Sequence, residues 1–184
     1  MAPLHPHTDE LLTHLDRTRR ELRASLDAAP TALHERAPAA DRWSIAQVLE
    51  HLGIVERQVA GLLRRGVRAA TTNGPLPPDL DETPVLPTID GARLLDRERR
   101  VQAGPRVQPQ AALTAAAAWA ELERTRADVV ALVQSVDGHC TDTVHAPHPV
   151  LGELTFHQWI AFLGFHEARH GAQIRAVMHE LTAH

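Results

Sequence analysis

The sequence predicts an all-α fold, a four-helix bundle, on three observations. Four long stretches carry apolar side chains at helical spacing, no stretch alternates convincingly as a strand, and two capping boxes mark helix starts. With 184 residues, 43% of them apolar, the chain can build one sizeable core, so residues 1–184 are read as a single domain. Unequal connections, the longest a Pro-rich one between the second and third long helices, point to a crossover topology.

The first helix is expected from Thr8 to Ala28, with Leu11, Leu15, Leu22 and Leu26 on its buried face and Arg17, Arg20 and Glu21 turned outward. Pro30 and Pro38 bracket the connection that follows. The second helix opens at Ser44-Ile-Ala-Gln47, where the Ser44 side chain caps the helix and Gln47 reaches back to the Ser44 N–H, and it continues to about Val67. Between Thr71 and Pro87 five prolines (Pro75, Pro77, Pro78, Pro84, Pro87) forbid continuous helix. A short charged helix is expected from Ile89 to Val101. The Ala-rich stretch Gln110 to Val136 makes the third long helix, with its stripe through Ala118, Leu122, Val129, Leu132 and Val136. A loop defined by Gly138, Pro147, Pro149 and Gly152 leads to the second capping box, Thr155-Phe-His-Gln158, and a fourth helix reaching Leu181.

Composition excludes several functions. The 19 basic and 23 acidic side chains leave a net charge of −4, so no basic field holds a phosphate backbone, and nucleic acid is not an expected partner. Every basic residue is Arg, which removes lysine Schiff-base chemistry and any Walker A loop. No apolar run is long enough to span a membrane and the N-terminus lacks a signal-peptide pattern, so a cytoplasmic location is expected. The single cysteine, Cys140, makes no internal disulfide, and no basic neighbour beyond His139 marks it as a nucleophile. Arg97-Glu-Arg99-Arg100 reads as a solvated charged face.

The anomaly is 13 histidines. His166 and His170 stand four residues apart, a spacing that chance alone supplies roughly once in a chain this rich in histidine. Position is more informative. At 100° per residue, Trp159, Phe162, Leu163, His166, His170, Gln173, Ile174 and Val177 share one arc, so both imidazoles point into the core. Leaving such rings unpartnered costs about 1–3 kcal/mol each, and a metal ion satisfies them together. His51 supplies a third core-facing ligand, aligned with Ser44, Val48, Val55, Gln58 and Leu62 and away from a charged face assigned to Glu56 and Arg57. The remaining histidines considered, His5, His7, His34, His139, His145, His148, His157 and His179, are expected to be solvated.

His166-Glu-Ala-Arg-His170 also spells the H-E-x-x-H of zincin metalloproteases, with Glu167 as general base. That reading lacks a later ligand, since Gln173 and Ala176 stand where a metzincin needs Gly and His, and only 14 residues follow His170.

Trp43-Ser-Ile-Ala-Gln-Val-Leu-Glu-His51-Leu, and His148-Pro-Val-Leu-Gly-Glu-Leu-Thr155 followed by Trp159, His166, Arg169-His170 and Gln173-Ile174, resemble the DinB-like four-helix-bundle proteins, including their YfiT-like and thiol-transferase branches. The resemblance implies a divalent ion (zinc, nickel, manganese or iron) on His51, His166 and His170, the three that the stripe argument selects. It also implies, less specifically, transferase or isomerase chemistry with a low-molecular-weight thiol such as bacillithiol, mycothiol or glutathione, and a small-molecule substrate. Three imidazoles would leave an ion its full charge and an open position, lowering the pKa of a water or thiol there, which suits thiol transfer or hydrolysis. Glu167 is a candidate proton acceptor, with a solvated surface role as the alternative. Gln47, Gln58 and Gln173 are candidates to orient rings or water. Two non-catalytic alternatives stay open: a metal-stabilised interaction module, with Glu167 or a side chain of a homodimer partner as candidates for the closing ligand, and a bundle whose histidines pair without metal.

Overall fold

The computed structural model describes residues 3–98 and 102–183. Four long helices, α1 (Pro6–Asp27), α2 (Ile45–Ala70), α4 (Ala115–Ser135) and α5 (Phe156–Thr182), form a four-helix bundle, with a short α3 (Gly91–Leu95) and a two-stranded hairpin, β1 (His145–His148) and β2 (Gly152–Thr155). α1 packs most extensively on α5 and α2 on α4, while α2 also meets α5 along the face that carries the histidines. Among the described residues, no helix is long and apolar enough to cross a membrane.

Both capping boxes form: Ser44 and Gln47 exchange hydrogen bonds at the start of α2, and Thr155 and Gln158 at the start of α5. α1 begins two residues earlier than expected because Pro6 suits the first helical position and the His5 ring accepts from the His7 N–H. α4 begins later than expected. The buried Glu50 carboxylate takes the Gln110 and Ala111 N–H groups at 2.7 Å each, holding them out of the helix, and Thr114 caps the helix instead. Ala112 sits between with a φ of 50°, a left-handed conformation uncommon for alanine. The expected helix 89–101 shrinks to α3, capped by Asp90, and its stretch Arg99 to Val101 lies outside the described residues.

The hairpin corrects the expectation of no strands. His145 pairs with Thr155 and His148 with Gly152. Gly152 has a φ of 82°, and the His148 ring accepts from the Val150 and Leu151 N–H groups across the turn. Ala146 and Leu154 face the core, and Trp159 Nε1 donates to Ala146 O, fastening the hairpin to α5.

The apolar core has two parts. One, around Leu11, Leu15, Val129, Phe156 and Ile160, lies toward the hairpin end, and the other, around Leu22, Leu49, Leu122 and Ile174, lies toward the opposite end. Between them each long helix contributes one buried charge: Arg19, Glu56, Arg126 and Glu167. Arg19 reaches Glu167 at 2.7 Å and Glu56 at 3.1 Å, and Arg126 reaches Glu56 at 2.5 Å. Thr18 and Thr125 donate to the two carboxylates as well. Glu56 is 3% exposed, so its assignment to a solvated face is corrected; Arg57 beside it is exposed as expected.

Candidate metal centre

α2 and α5 bring His51, His166 and His170 together, with their candidate ligand atoms all within 4.8 Å of one another. His51 Nε2 lies 3.2 Å from His166 Nε2, and His170 Nε2 lies 3.1 Å from the same atom. Nitrogens on a tetrahedral zinc ion stand about 3.3 Å apart, so the rings are already spaced for a shared ion.

The hydrogen bonds on the far side of the rings decide what these nitrogens can do. His51 Nδ1 lies 2.6 Å from Val107 O, and His170 Nδ1 lies 2.7 Å from Gln173 Oε1. Both oxygens only accept, so each Nδ1 carries the proton and each Nε2 presents a bare lone pair. Two lone pairs therefore point at His166 Nε2, which has at most one proton to offer them. A cation at the centre removes this deficit, and carbonyl oxygens that fix the tautomer of ligating imidazoles are a usual support for one. Burial keeps the rings neutral: it pushes His170 down to about 3, His166 well below its ordinary value, and His51 down against an opposing hydrogen bond to Val107. The Trp43 ring flanks His51, and Phe162 stacks on His166.

The other expected site residues separate. Gln173 Oε1 lies against His170 Nδ1. Gln47 is spent on the capping box, and Gln58 Nε2 donates to Arg106 O, bracing the segment whose next carbonyl holds His51. Glu167 is neither solvated nor directed at the histidines: its carboxylate takes Arg19 and Thr18 and lies beside Arg126. That also deprives the zincin reading of its base. An open cavity of about 810 Å³ between α2, α4 and the 105–113 segment includes Gln58, Glu50 and Arg106 but none of the three histidines.

Several histidines expected in solvent are not there. His7 is buried, His157 is half-buried and pushed down to about 4 by burial, and His148 packs against Trp159 and Phe162 beside the three-histidine group. His139, His145 and His179 are exposed as expected. Sequence reasoning missed His14, which is buried on α1 with Nε2 3.2 Å from Ala161 O; its spacing from Leu11 and Leu15 was the available signal. It also missed the Val107 carbonyl, for which no local signal exists.

Compared with known protein families, residues 14–174 match the DinB superfamily. The Bacillus subtilis (strain 168) protein YuaE, itself uncharacterized, is 29% identical over 145 residues, spanning 78% of this chain and 82% of its own. The crystal structure of TT2238, a four-helix bundle protein, covers 92% of this chain and 98% of its own with a TM-score of 0.60 at 24% identity, a likeness of fold.

Proposed function

This chain belongs to the DinB superfamily, and from that premise we propose that His51, His166 and His170 hold a divalent metal through their Nε2 atoms and that the protein is a metal-dependent enzyme acting on a small molecule. The observation that carries the reading is the convergence of two bare Nε2 lone pairs, each aimed by an acceptor behind its ring, on the Nε2 of a third imidazole. Zinc, nickel, manganese and iron all remain candidates, since nitrogen donors accommodate several first-row ions.

Catalysis rather than fastening is favoured by the ligand count. Among the described residues this cluster holds three side-chain ligands, and Glu167, the neighbour best placed in sequence to close it, is bound up with two arginines. A site with three protein ligands and an open position is the pattern of catalytic metal centres. When bound, the ion would supply Lewis acidity that brings the pKa of a water or thiol toward neutrality, the chemistry of a hydrolase or of a transferase using a low-molecular-weight thiol. The protein's own part is orientation. Val107 O and Gln173 Oε1 fix two rings, while Trp43 and Phe162 give the centre an apolar wall.

Elemental analysis of tag-free protein, purified without immobilised metal, beside a His166→Ala variant tests the reading. One equivalent of metal present in the parent and missing from the variant is expected. Equal metal in both, or none in the parent even after incubation with zinc, nickel and manganese, overturns it.

A further inference from the structure

A second group of ligand-bearing side chains lies at the hairpin end of the bundle. His5 and His7 flank the proline that starts α1, and the segment after α2 brings Asp79 against them. His7 is 5% exposed, and its ring is held between two acceptors, with Nδ1 3.0 Å from Asp79 Oδ2 and Nε2 2.8 Å from Thr83 O. A neutral imidazole carries one N–H and satisfies one of them. The backbone carbonyl can only accept, so the proton belongs on Nε2, and the Nδ1 lone pair is left facing a carboxylate oxygen. A lone pair and a carboxylate oxygen at that separation repel unless a proton or a metal cation lies between them. The arrangement repeats that of His51: a carbonyl fixes the tautomer and aims the other nitrogen at the site.

Its surroundings are built to hold position. Asp79 N donates to Gly138 O, and Asp79 Oδ1 accepts from Asp81 N, which leaves Oδ2 toward His7. His5 N donates to Asp137 Oδ1, and the His5 ring accepts the His7 N–H at Nδ1 over 3.3 Å, a long contact that an ion on that nitrogen would replace. The His5 ring lies 4.9 Å from that of His7 on one side, and His157, on the first turn of α5, lies 4.9 Å away on another. Nine residues along α5 separate His157 from His166, about 14 Å at the helical rise, so this group is distinct from the first centre.

We propose that His5, His7 and Asp79 form a second divalent-cation site, suited to zinc or a similar ion that takes nitrogen and carboxylate donors. Two imidazoles and one carboxylate are a common zinc donor set, and the candidate ligand atoms lie within 4.8 Å of one another. An ion here ties the start of α1 to the segment after α2, two elements whose ligands are 72 residues apart in the chain.

Zinc titrated into the full-length, tag-free protein against a competing chromogenic chelator tests this. Two equivalents are expected in the parent, and one in a His51→Ala/His166→Ala variant that lacks the first centre. In either background, His5→Ala or Asp79→Asn should remove the second equivalent or weaken it by at least about tenfold. Neither of these residues is fully buried, so both variants avoid the folding risk of changing His7. The proposal is overturned if the triad-deleted protein binds no zinc, if the Asp79→Asn and His5→Ala variants bind as tightly as their parents, or if the parent holds a single equivalent that His166→Ala alone abolishes. The last result would mean that a proton, shared as an imidazolium–carboxylate pair, fills the place assigned to the ion.

Discussion

His166 and Glu167 are consecutive residues of α5, yet they enter two buried polar clusters that are completed in different ways. Glu167 joins a layer in which two arginines face two glutamates, so the charges cancel inside the protein. Thr18, Thr125 and the Leu15 and Leu122 carbonyls take up much of the remaining hydrogen-bonding capacity. One group is left over, Arg126 Nη2, which lies 3.0 Å from Glu167 Oε1 without the angle of a hydrogen bond. His166 joins a cluster that nothing in the described chain completes, because three neutral rings bring together more lone pairs than protons. A polar group satisfied from within serves the fold. One with a shared deficit is what the proposed metal would complete.

The largest effect should come from breaking the self-sufficient cluster. Glu56→Gln keeps the shape of the side chain but leaves Arg19 and Arg126 one buried carboxylate between them, with Arg19 keeping the half-exposed Glu123 as well, and removing one partner of a buried ion pair costs about 3–5 kcal/mol. Urea unfolding of the metal-free protein should show a loss of that size, while metal stoichiometry below the unfolding transition stays that of the parent. A loss below about 1 kcal/mol would mean that the layer behaves like an exposed set of pairs, and the contrast with the histidines would fail.

Acid should act on the histidine cluster instead. In the unfolded chain His170 titrates near the ordinary value of 6.5, whereas in the fold burial lowers it to about 3, and His14, His51 and His166 move in the same direction. The unfolded state therefore takes up protons first as pH falls. The stability these groups confer is fully present above 6.5 and is lost as pH drops toward their folded values, by at most about 1.4 kcal/mol per pH unit for each histidine. Urea unfolding with a chelator present, compared between about pH 7 and pH 5, should show this loss, and His51→Ala/His166→Ala should flatten the slope. A slope unchanged in that variant would place the acid sensitivity elsewhere.

The helices and the triad were legible because both rest on one-dimensional spacing. Two capping boxes fixed where α2 and α5 start, and the arc through Trp159, Phe162, His166 and His170 put the last two on the face that meets His51. The same spacing also places Arg19 between Leu15 and Leu22, Glu56 between Leu52 and Val59, and Arg126 between Leu122 and Val129, all core residues. These charges were legible by position and obscured by type, since arginine and glutamate are buried only when paired and the partners sit on other helices. No local pattern reveals the Glu50 carboxylate that delays α4, the Val107 carbonyl behind His51, or the meeting of His7 with Asp79, because each contact joins residues 56 or more positions apart. The hairpin escaped for a different reason. Four-residue strands, one of them containing Pro147, are too short to show a period.

The smallest effects separate two glutamines that spacing alone made equivalent. Gln173 accepts the His170 Nδ1 proton and so aims its Nε2, and loss of such a supporting contact typically weakens metal binding 10- to 100-fold. Gln47 completes the capping box of α2, with its Oε1 accepting the Ser44 N–H, so its loss should cost about 0.3–1.5 kcal/mol of stability. Gln173→Ala should therefore raise the metal dissociation constant while changing the metal-free unfolding midpoint little, and Gln47→Ala should do the reverse. Chelator competition and thermal unfolding on the same two variants read both quantities. If Gln47→Ala weakened metal binding as much as Gln173→Ala did, the triad would be tuned by the general stability of α2 rather than by the contact behind each ring, and its convergence would owe less to the acceptors that aim it than the geometry indicates.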